Sequence, residues 1–398
     1  MVVSGTLLLV VVAAAASFFA AWTIGGSSTG ATPFAPAVGA NAISIMQGAF
    51  IVGILGFAGA ILQGAAITET IGQELIHGVT LSPLAATVAL TIAAAYIAAG
   101  VFKGYPIATA FAISGSVVGV GLAMGGDPAW RRYGEIVLYW VLTPIIVAPA
   151  AYGATTLLRS DSVPLHRVVG ALVALVGAIV ANMELLLLGG PGEEASLAAT
   201  VAGGLPLPHW LGISLVTVVV AGGLAGYSIR RIRRHPVRTL RRFLLALGAL
   251  VAFTAGGGKV GLAVGPLLPL MDALWGDVPI GAVLTFGAVG ILLGSWMIAP
   301  RMIKSLSQDY SALGPRRSIG VLVPSFAIAQ VGIFFGIPMS FNEIFISAIA
   351  GTGYAVGSGT VSQAKIRNTV LAWIGSIIFS LFVGYGVYSA ASALTGIE

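Results

Sequence analysis

One lysine, Lys259, stands behind three glycines in AFTAGGGKVGLAVGPLLP (residues 252–269), a segment otherwise apolar and long enough to cross a membrane. A fixed cation at bilayer depth costs about 2.5–3.5 kcal/mol on insertion scales, so its side chain has to face protein, water or a ligand rather than lipid. The glycine run beside it is expected to break helix regularity and bare backbone dipoles. A weaker counterpart lies at 25–36, where Ser27, Ser28 and Thr29 follow two glycines. An ammonium, hydroxyls and half-helix N-termini together are what a buried oxyanion requires, namely positive potential and many donors. Thr109 and Ser340 join this set, each following a Gly-x-Pro that frees backbone amides. Asn342 and Glu343 come directly after, with Glu343 the expected partner of Lys259. The competing reading makes each hydroxyl a packing group bonded to its own helical turn. On that reading Lys259 snorkels to an interface or pairs structurally with a carboxylate.

Other chemistries find little support. The chain has no cysteine, which excludes disulfides and thiolate catalysis or metal ligation. The four histidines (His77, His166, His209 and His235) are scattered without metal-ligand spacing. GGGKV is not a nucleotide phosphate loop, because Val260 stands where Ser or Thr is needed. Glu184 is a further carboxylate within an apolar stretch, apart from the other candidates. No catalytic residue and no metal site is assigned, and an enzyme is not expected.

The elements that hold these residues follow from composition. Of 398 residues, 58% are hydrophobic and 8% charged, against about 25% charged in a soluble domain. The apolar runs are long and continuous, so the fold class is an all-α polytopic membrane protein rather than a β-barrel. Twelve spans are expected, at about 4–32, 44–66, 82–100, 105–125, 134–157, 165–189, 208–229, 240–271, 279–299, 319–337, 339–357 and 368–395. The two that begin after a Gly-x-Pro are short enough for half-helices or hairpins. The net charge of +6 sits in short loops, which points to membrane topology rather than nucleic acid. Placing the run Arg230–Arg242 inside, as a loop around His235-Pro236, puts nearly all other basic residues inside and the acidic loops outside. Only Arg131 and Arg132 disagree, and both termini come out extracellular.

The two halves share an ordered set of features. A Gly-rich broken span (24–39; 255–269) is followed by a helix running into a polar loop (64–75; 299–310). A Gly-x-Pro segment comes next (104–121; 336–353), then a helix holding a tryptophan, Trp140 or Trp373. An odd number of passes separates the halves, which makes them inverted repeats with interrupted helices, a transporter architecture. The expected organisation is a first repeat at 1–160, linking helices with a basic loop at 161–238, and a second repeat at 239–398.

With these residues the chain resembles the inorganic phosphate transporter (PiT) family of secondary transporters. That family has a GANDVANA-type motif in each half, a V-x-x-TI, a G-x-P-x-STTH motif and a helix ending in W-x-x-T/S-P. Here the first motif reads Gly26-Ser27-Ser28-Thr29 and the second Gly256-Gly257-Gly258-Lys259. Ile67-Thr68-Glu69-Thr70-Ile71 follows the first, and Pro106 and Pro338 head the third pair. Trp140, Thr143 and Pro144 close the first half, with Trp373 and Ser376 in the second. The resemblance implies transport of inorganic phosphate or a sulfate-like oxyanion by alternating access at a midplane site in the cell membrane. In the family the motif aspartates are tied to cation coupling and the Ser/Thr positions to the anion. Both aspartates are replaced here, by Thr29 and Lys259. This argues against family-type sodium coupling, with Lys259 as a built-in cation or a proton carrier, and no cofactor is expected. The substrate set is then Ser27, Ser28, Thr29, Thr109, Lys259, Ser340, Asn342 and Glu343. Membrane lipid is an expected partner, a homodimer is left open, and nucleic acid is not expected. A sulfate permease on the same scaffold and a transport-dead relative are the alternatives.

Overall fold

A computed structural model describes residues 2–190, 193–276, 278–308, 314–357 and 363–396. Asp277 of an acidic loop, the side chain of Lys365 among the basic residues, and residues 309–310 at the end of a polar loop lie outside the described residues.

The first half comprises α1 (Val2–Ile24), α2 (Ala35–Gly39), α3 (Ile45–Leu62), α4 (Ala65–Glu69), α5 (Pro83–Phe102), α6 (Thr109–Ala123) and α7 (Trp130–Arg159). The linking region holds α8 (Leu165–Asn182), α9 (Leu197–Gly203) and α10 (His209–Arg234). The second half holds α11 (Pro236–Val264), α12 (Leu268–Trp275), α13 (Ile280–Met297), α14 (Ala299–Gln308), α15 (Pro315–Phe334), α16 (Phe341–Tyr354) and α17 (Gln363–Thr395). Two two-residue strand pairs, 76–77 with 127–128 and 184–185 with 195–196, staple loops on one face.

Ten helical spans among the described residues are long and apolar enough to cross a membrane. The remaining two of the twelve expected segments are the short helices α6 and α16, with 15 and 14 residues. At about 1.5 Å per residue neither reaches across a hydrocarbon core of about 30 Å. Each starts after a glycine with positive φ, Gly104 (74°) and Gly336 (60°), where a side chain would be strained. Proline then fixes the following turn and keeps the chain from continuing as helix.

The halves are clasped by a reciprocal exchange. Trp140 of α7 donates its indole N–H to the carbonyl of Pro338 at 2.7 Å, and Trp373 of α17 donates to the carbonyl of Pro106 at 2.9 Å. Helix α7 runs alongside α16, and α17 alongside α6; a Cβ added to Gly351 would collide with Ala148, and one added to Gly115 with Ile377. Helix α6 leads away towards Ile76, while α16 leads towards Val356 on the opposite face. The two half-helices therefore start at a common depth and diverge.

Charge is sorted between the faces. Arg233 lies 3.1 Å from His166, Arg241 donates to the carbonyl of Ala42, and Arg301 sits over the Phe102 ring, all on one face. Arg131 and Arg132, the pair that disagreed with the charge pattern, are on the other face and neutralised there. Arg132 contacts Glu74 and Glu135 at 2.9 Å each, and Arg131 contacts Glu135 at 3.3 Å. The arginine run is not a loop: Arg230–Arg234 complete α10, a break at His235 follows, and α11 starts at Pro236. Glu184 also moves from its expected place, lying in a strand pair beyond the end of α8 rather than within a span.

Candidate functional site

The two Gly-x-Pro turns bring the candidate residues together. Thr109 is the first residue of α6. Ser340 caps α16 by accepting a 3.4 Å hydrogen bond from the Glu343 N–H. Lys259, on α11, reaches between these starts. Its ammonium donates to Thr109 Oγ1 at 2.8 Å and to the Met339 carbonyl. The Phe341 ring centroid lies 5.8 Å from Nζ, close enough for a cation–π contribution. The side chain is fully buried, so these neutral partners carry the whole replacement of its hydration.

The first broken segment supplies hydroxyls to the same cluster. Ser28 Oγ is 3.3 Å from Thr109 Oγ1, and Asn342 Nδ2 donates to Ser27 Oγ at 3.4 Å and to the Ile107 carbonyl at 2.7 Å. Ser27, Ser28, Thr29, Thr109 and Asn342 are all fully buried. Two of their atoms, Thr29 Oγ1 and Asn342 Oδ1, have no hydrogen-bond partner. A buried polar atom left unpaired costs about 1–3 kcal/mol, and such a cost is expected where a ligand completes the pairing.

Three expectations are revised. The glycine run does not break its helix: α11 is regular through Gly256, Gly257 and Gly258, and the interruption comes at Gly265–Leu267, a 3-10 turn holding Pro266. The glycines serve close packing instead. A Cβ on Gly256 would stand 1.9 Å from the Gly56 carbonyl oxygen of α3, and one on Gly257 2.9 Å from that of Gln63. Glu343 is not in direct contact with Lys259, since no ion pair within 4.0 Å joins them, although the two charges still act on each other. It lines a cavity of about 530 Å³ with Phe111, Trp140, Pro144 and Trp373, on the far side of α16. Ser340 lies with the cluster, but its hydroxyl is engaged in capping.

Some participants carry no side-chain signal. The carbonyls of Met339 and Ile107 are site acceptors by virtue of the Pro turns, which sequence reading treated only as a source of amides. A buried amide network, Gln63 to Gln330 at 3.0 Å and Gln330 to Thr254 at 2.7 Å, flanks the glycine run. Its two glutamines were legible as polar residues in apolar spans. The hydroxyls of Thr143 and Ser376, by contrast, bond back to Tyr139 and Trp373 in their own helices.

Comparison with known proteins agrees with this arrangement. The chain is 25% identical over 94% of its length to a Pyrococcus furiosus protein named as a candidate phosphate permease, covering 94% of that protein. It is 26% identical to the chloroplastic inorganic phosphate transporter 2-1 of Arabidopsis thaliana, over 90% of this chain and 68% of that one. A solved structure described as the sodium-dependent phosphate transporter superposes with a TM-score of 0.81, covering 97% of this chain and 99% of that chain at 21% identity, and so shares the fold. The phosphate transporter family profile matches residues 24–384, from the first broken segment to α17, and the chain belongs to that family.

Proposed function

We propose that the chain is a secondary transporter that moves inorganic phosphate across the cell membrane by alternating access of two inverted repeats. Family membership supports the substrate. The reciprocal Trp140–Pro338 and Trp373–Pro106 bonds, with half-helices diverging from one depth, support the inverted pairing. The positive-inside rule makes the arginine-bearing face cytoplasmic and both termini extracellular.

The observation that carries the coupling mechanism is a buried ammonium in the binding cluster that makes no direct ion pair and rests on a hydroxyl and a backbone carbonyl. Lys259 occupies the position of a family aspartate, so a fixed positive charge replaces one that relatives are read as taking from solution. Phosphate then lies against Lys259, the hydroxyls of Ser27, Ser28, Thr29 and Thr109, and Asn342. Its arrival displaces the ammonium from Thr109 and the Met339 carbonyl, and it gives Thr29 Oγ1 a partner. Transport on this reading needs no sodium. The ammonium and hydroxyls donate to phosphate, while Asn342 Oδ1 accepts from its protonated oxygen, which favours a monoprotonated species over sulfate.

The test is uptake of labelled phosphate into proteoliposomes, with sodium and proton gradients imposed separately. Uptake that persists without sodium and outlasts a tenfold excess of sulfate is the expected result. A strict sodium requirement would sink the fixed-charge reading, and no phosphate uptake under either gradient would sink the transport reading.

A further inference from the structure

A cavity of about 870 Å³ opens on the arginine-bearing face, away from the midplane cluster. Its wall carries Arg159 at the end of α7, Arg241 near the start of α11, and Arg316 and Arg317 in the first turn of α15. No carboxylate is among its described lining residues. Arg131 and Arg132 on the opposite face are matched by Glu74 and Glu135. Here, among the described residues, no ion pair within 4.0 Å joins Arg159, Arg241 or Arg316 to a carboxylate. Arg241 donates from Nε and Nη2 to the Ala42 carbonyl, at 3.2 and 2.9 Å, and so fixes the 40–42 segment as one wall. Arg317 is only 6% exposed, which removes much of its guanidinium from water. Gathering Arg159, Arg241 and Arg316 around one concavity raises its potential and concentrates anions there. The N-terminus of α15 adds to that potential, while the C-terminus of α7, beside Arg159, offsets part of it. Guanidinium groups match phosphoryl oxygens in bidentate geometry better than any other side chain does.

The cavity is also aligned with the midplane cluster. Arg241 and Lys259 lie on the same side of α11, about five turns and about 27 Å apart. Leu244, Gly248, Ala252 and Ala255 form the stripe between them. The Phe34 ring, 1% exposed, fills the space over Gly248, where an added Cβ would stand 2.9 Å from its Cε1. The chain from Thr29 to Ala42 follows the same line. It leaves the cluster, passes Phe34, is tied at Pro36 by a 2.7 Å bond from Ser318 Oγ, and ends as cavity wall at Ala40, Asn41 and Ala42.

We infer that the arginine-lined cavity is a second, outer binding site for a phosphoryl oxyanion, in line with the midplane cluster and separated from it by Phe34. The occupant is inorganic phosphate entering or leaving the transporter. That passage role rests on the transport reading above, whereas binding in the cavity does not. Anionic lipid headgroups share the phosphoryl chemistry, so the test has to separate the two sources.

Three proteins reconstituted in phosphatidylcholine nanodiscs supply the measurement: wild type, Lys259→Ala, and Lys259→Ala with Arg159→Gln and Arg316→Gln. Both arginines are exposed, so their loss leaves folding intact, which size exclusion checks. Equilibrium binding of labelled inorganic phosphate should persist in Lys259→Ala and weaken about tenfold or more when the two arginines are removed. Discs containing phosphatidic acid are the lipid arm, and phosphate binding that survives there supports the free ion as occupant. Binding abolished by phosphatidic acid overturns that assignment in favour of lipid. Absence of phosphate binding in Lys259→Ala discs of phosphatidylcholine overturns the outer site altogether. With the protein inserted so that the arginine-bearing face meets the phosphate, Arg159→Gln/Arg316→Gln alone should raise the KM for phosphate severalfold. An outer site that binds in a protein with no phosphate uptake would stand while the transport reading fell, and the reverse pattern would spare transport and remove the outer site.

Discussion

The two broken segments reach the same cluster by different means. In the first, Gly25–Thr29 forms a π-helical turn, and the extra residue in that turn re-aims Ser27, Ser28 and Thr29. The distorted turn is held from outside, because Ser295 donates to the Gly25 carbonyl at 3.1 Å and a Cβ on Gly25 would stand 2.2 Å from the Ile291 carbonyl oxygen. In the second, α11 runs undistorted past its glycines and breaks only at Gly265–Leu267. The difference follows side-chain length. Ser and Thr are short, so the backbone has to carry them to the site; a lysine spans the distance itself and leaves its helix regular. Two segments that supply the same cluster therefore need not share a backbone conformation.

The comparison can be broken most severely at Lys259. Lys259→Ala should reduce phosphate uptake to the level of empty vesicles while the purified protein remains monodisperse; uptake near wild type would remove the lysine from the site. Lys259→Arg should fare little better, since a planar guanidinium has no space in a fully enclosed position.

Glycine substitutions form the next tier. Gly256→Val drives side-chain atoms into the Gly56 backbone and should lower stability by about 3 kcal/mol or more, read as a depressed Tm in detergent. Gly258→Ala meets the Phe341 ring at 3.1 Å and the Ile333 side chain at 3.4 Å, and should cost less than about 1 kcal/mol with uptake retained. Equal losses at the two positions would contradict the packing role assigned to the run.

A smaller effect is expected at Thr29, whose hydroxyl has no protein partner. Thr29→Val should leave the Tm unchanged or slightly raised and weaken phosphate about tenfold, the value of one hydrogen bond to a charged group. A lower Tm with unaltered affinity would make the hydroxyl structural.

The smallest effect lies outside the spans and serves as a control for stability changes unrelated to the site. Burial, with Glu184 and Glu69 nearby, pushes the Glu194 carboxyl up to about 7, against an Ala65 N–H that favours its charged form. The folded state thus holds this proton more tightly than the unfolded chain does. That contribution is complete below about 4.5 and is lost as pH rises through about 7. Tm should fall by a few degrees between pH 5 and pH 8, and Glu194→Gln should flatten the slope; an unchanged slope would reassign the effect.

Much of the cluster that the fold assembles was legible in the residues. Ser27, Ser28, Thr29, Thr109, Lys259 and Asn342 are polar groups in apolar spans, and lipid leaves such groups few other places to point. Glu343 satisfied the same criterion and yet faces the cavity beside Trp140 and Trp373. Neighbouring residues at the start of a helix diverge by about 100°, so sequence adjacency to Asn342 did not place it.

By itself the sequence determined the membrane fold class, the approximate positions of the apolar spans and the shortness of the two segments that follow a Gly-x-Pro. Those depend on hydrophobic run length, on proline and on left-handed glycine, all of which act locally. Only the tertiary structure decided that the triple glycine packs α11 against α3 and that a π turn re-aims the first motif. It alone showed that Lys259 rests on Thr109 and a backbone carbonyl instead of a carboxylate. Each of these depends on what another helix brings within a few ångströms, and contacts between segments hundreds of residues apart leave no periodicity to read.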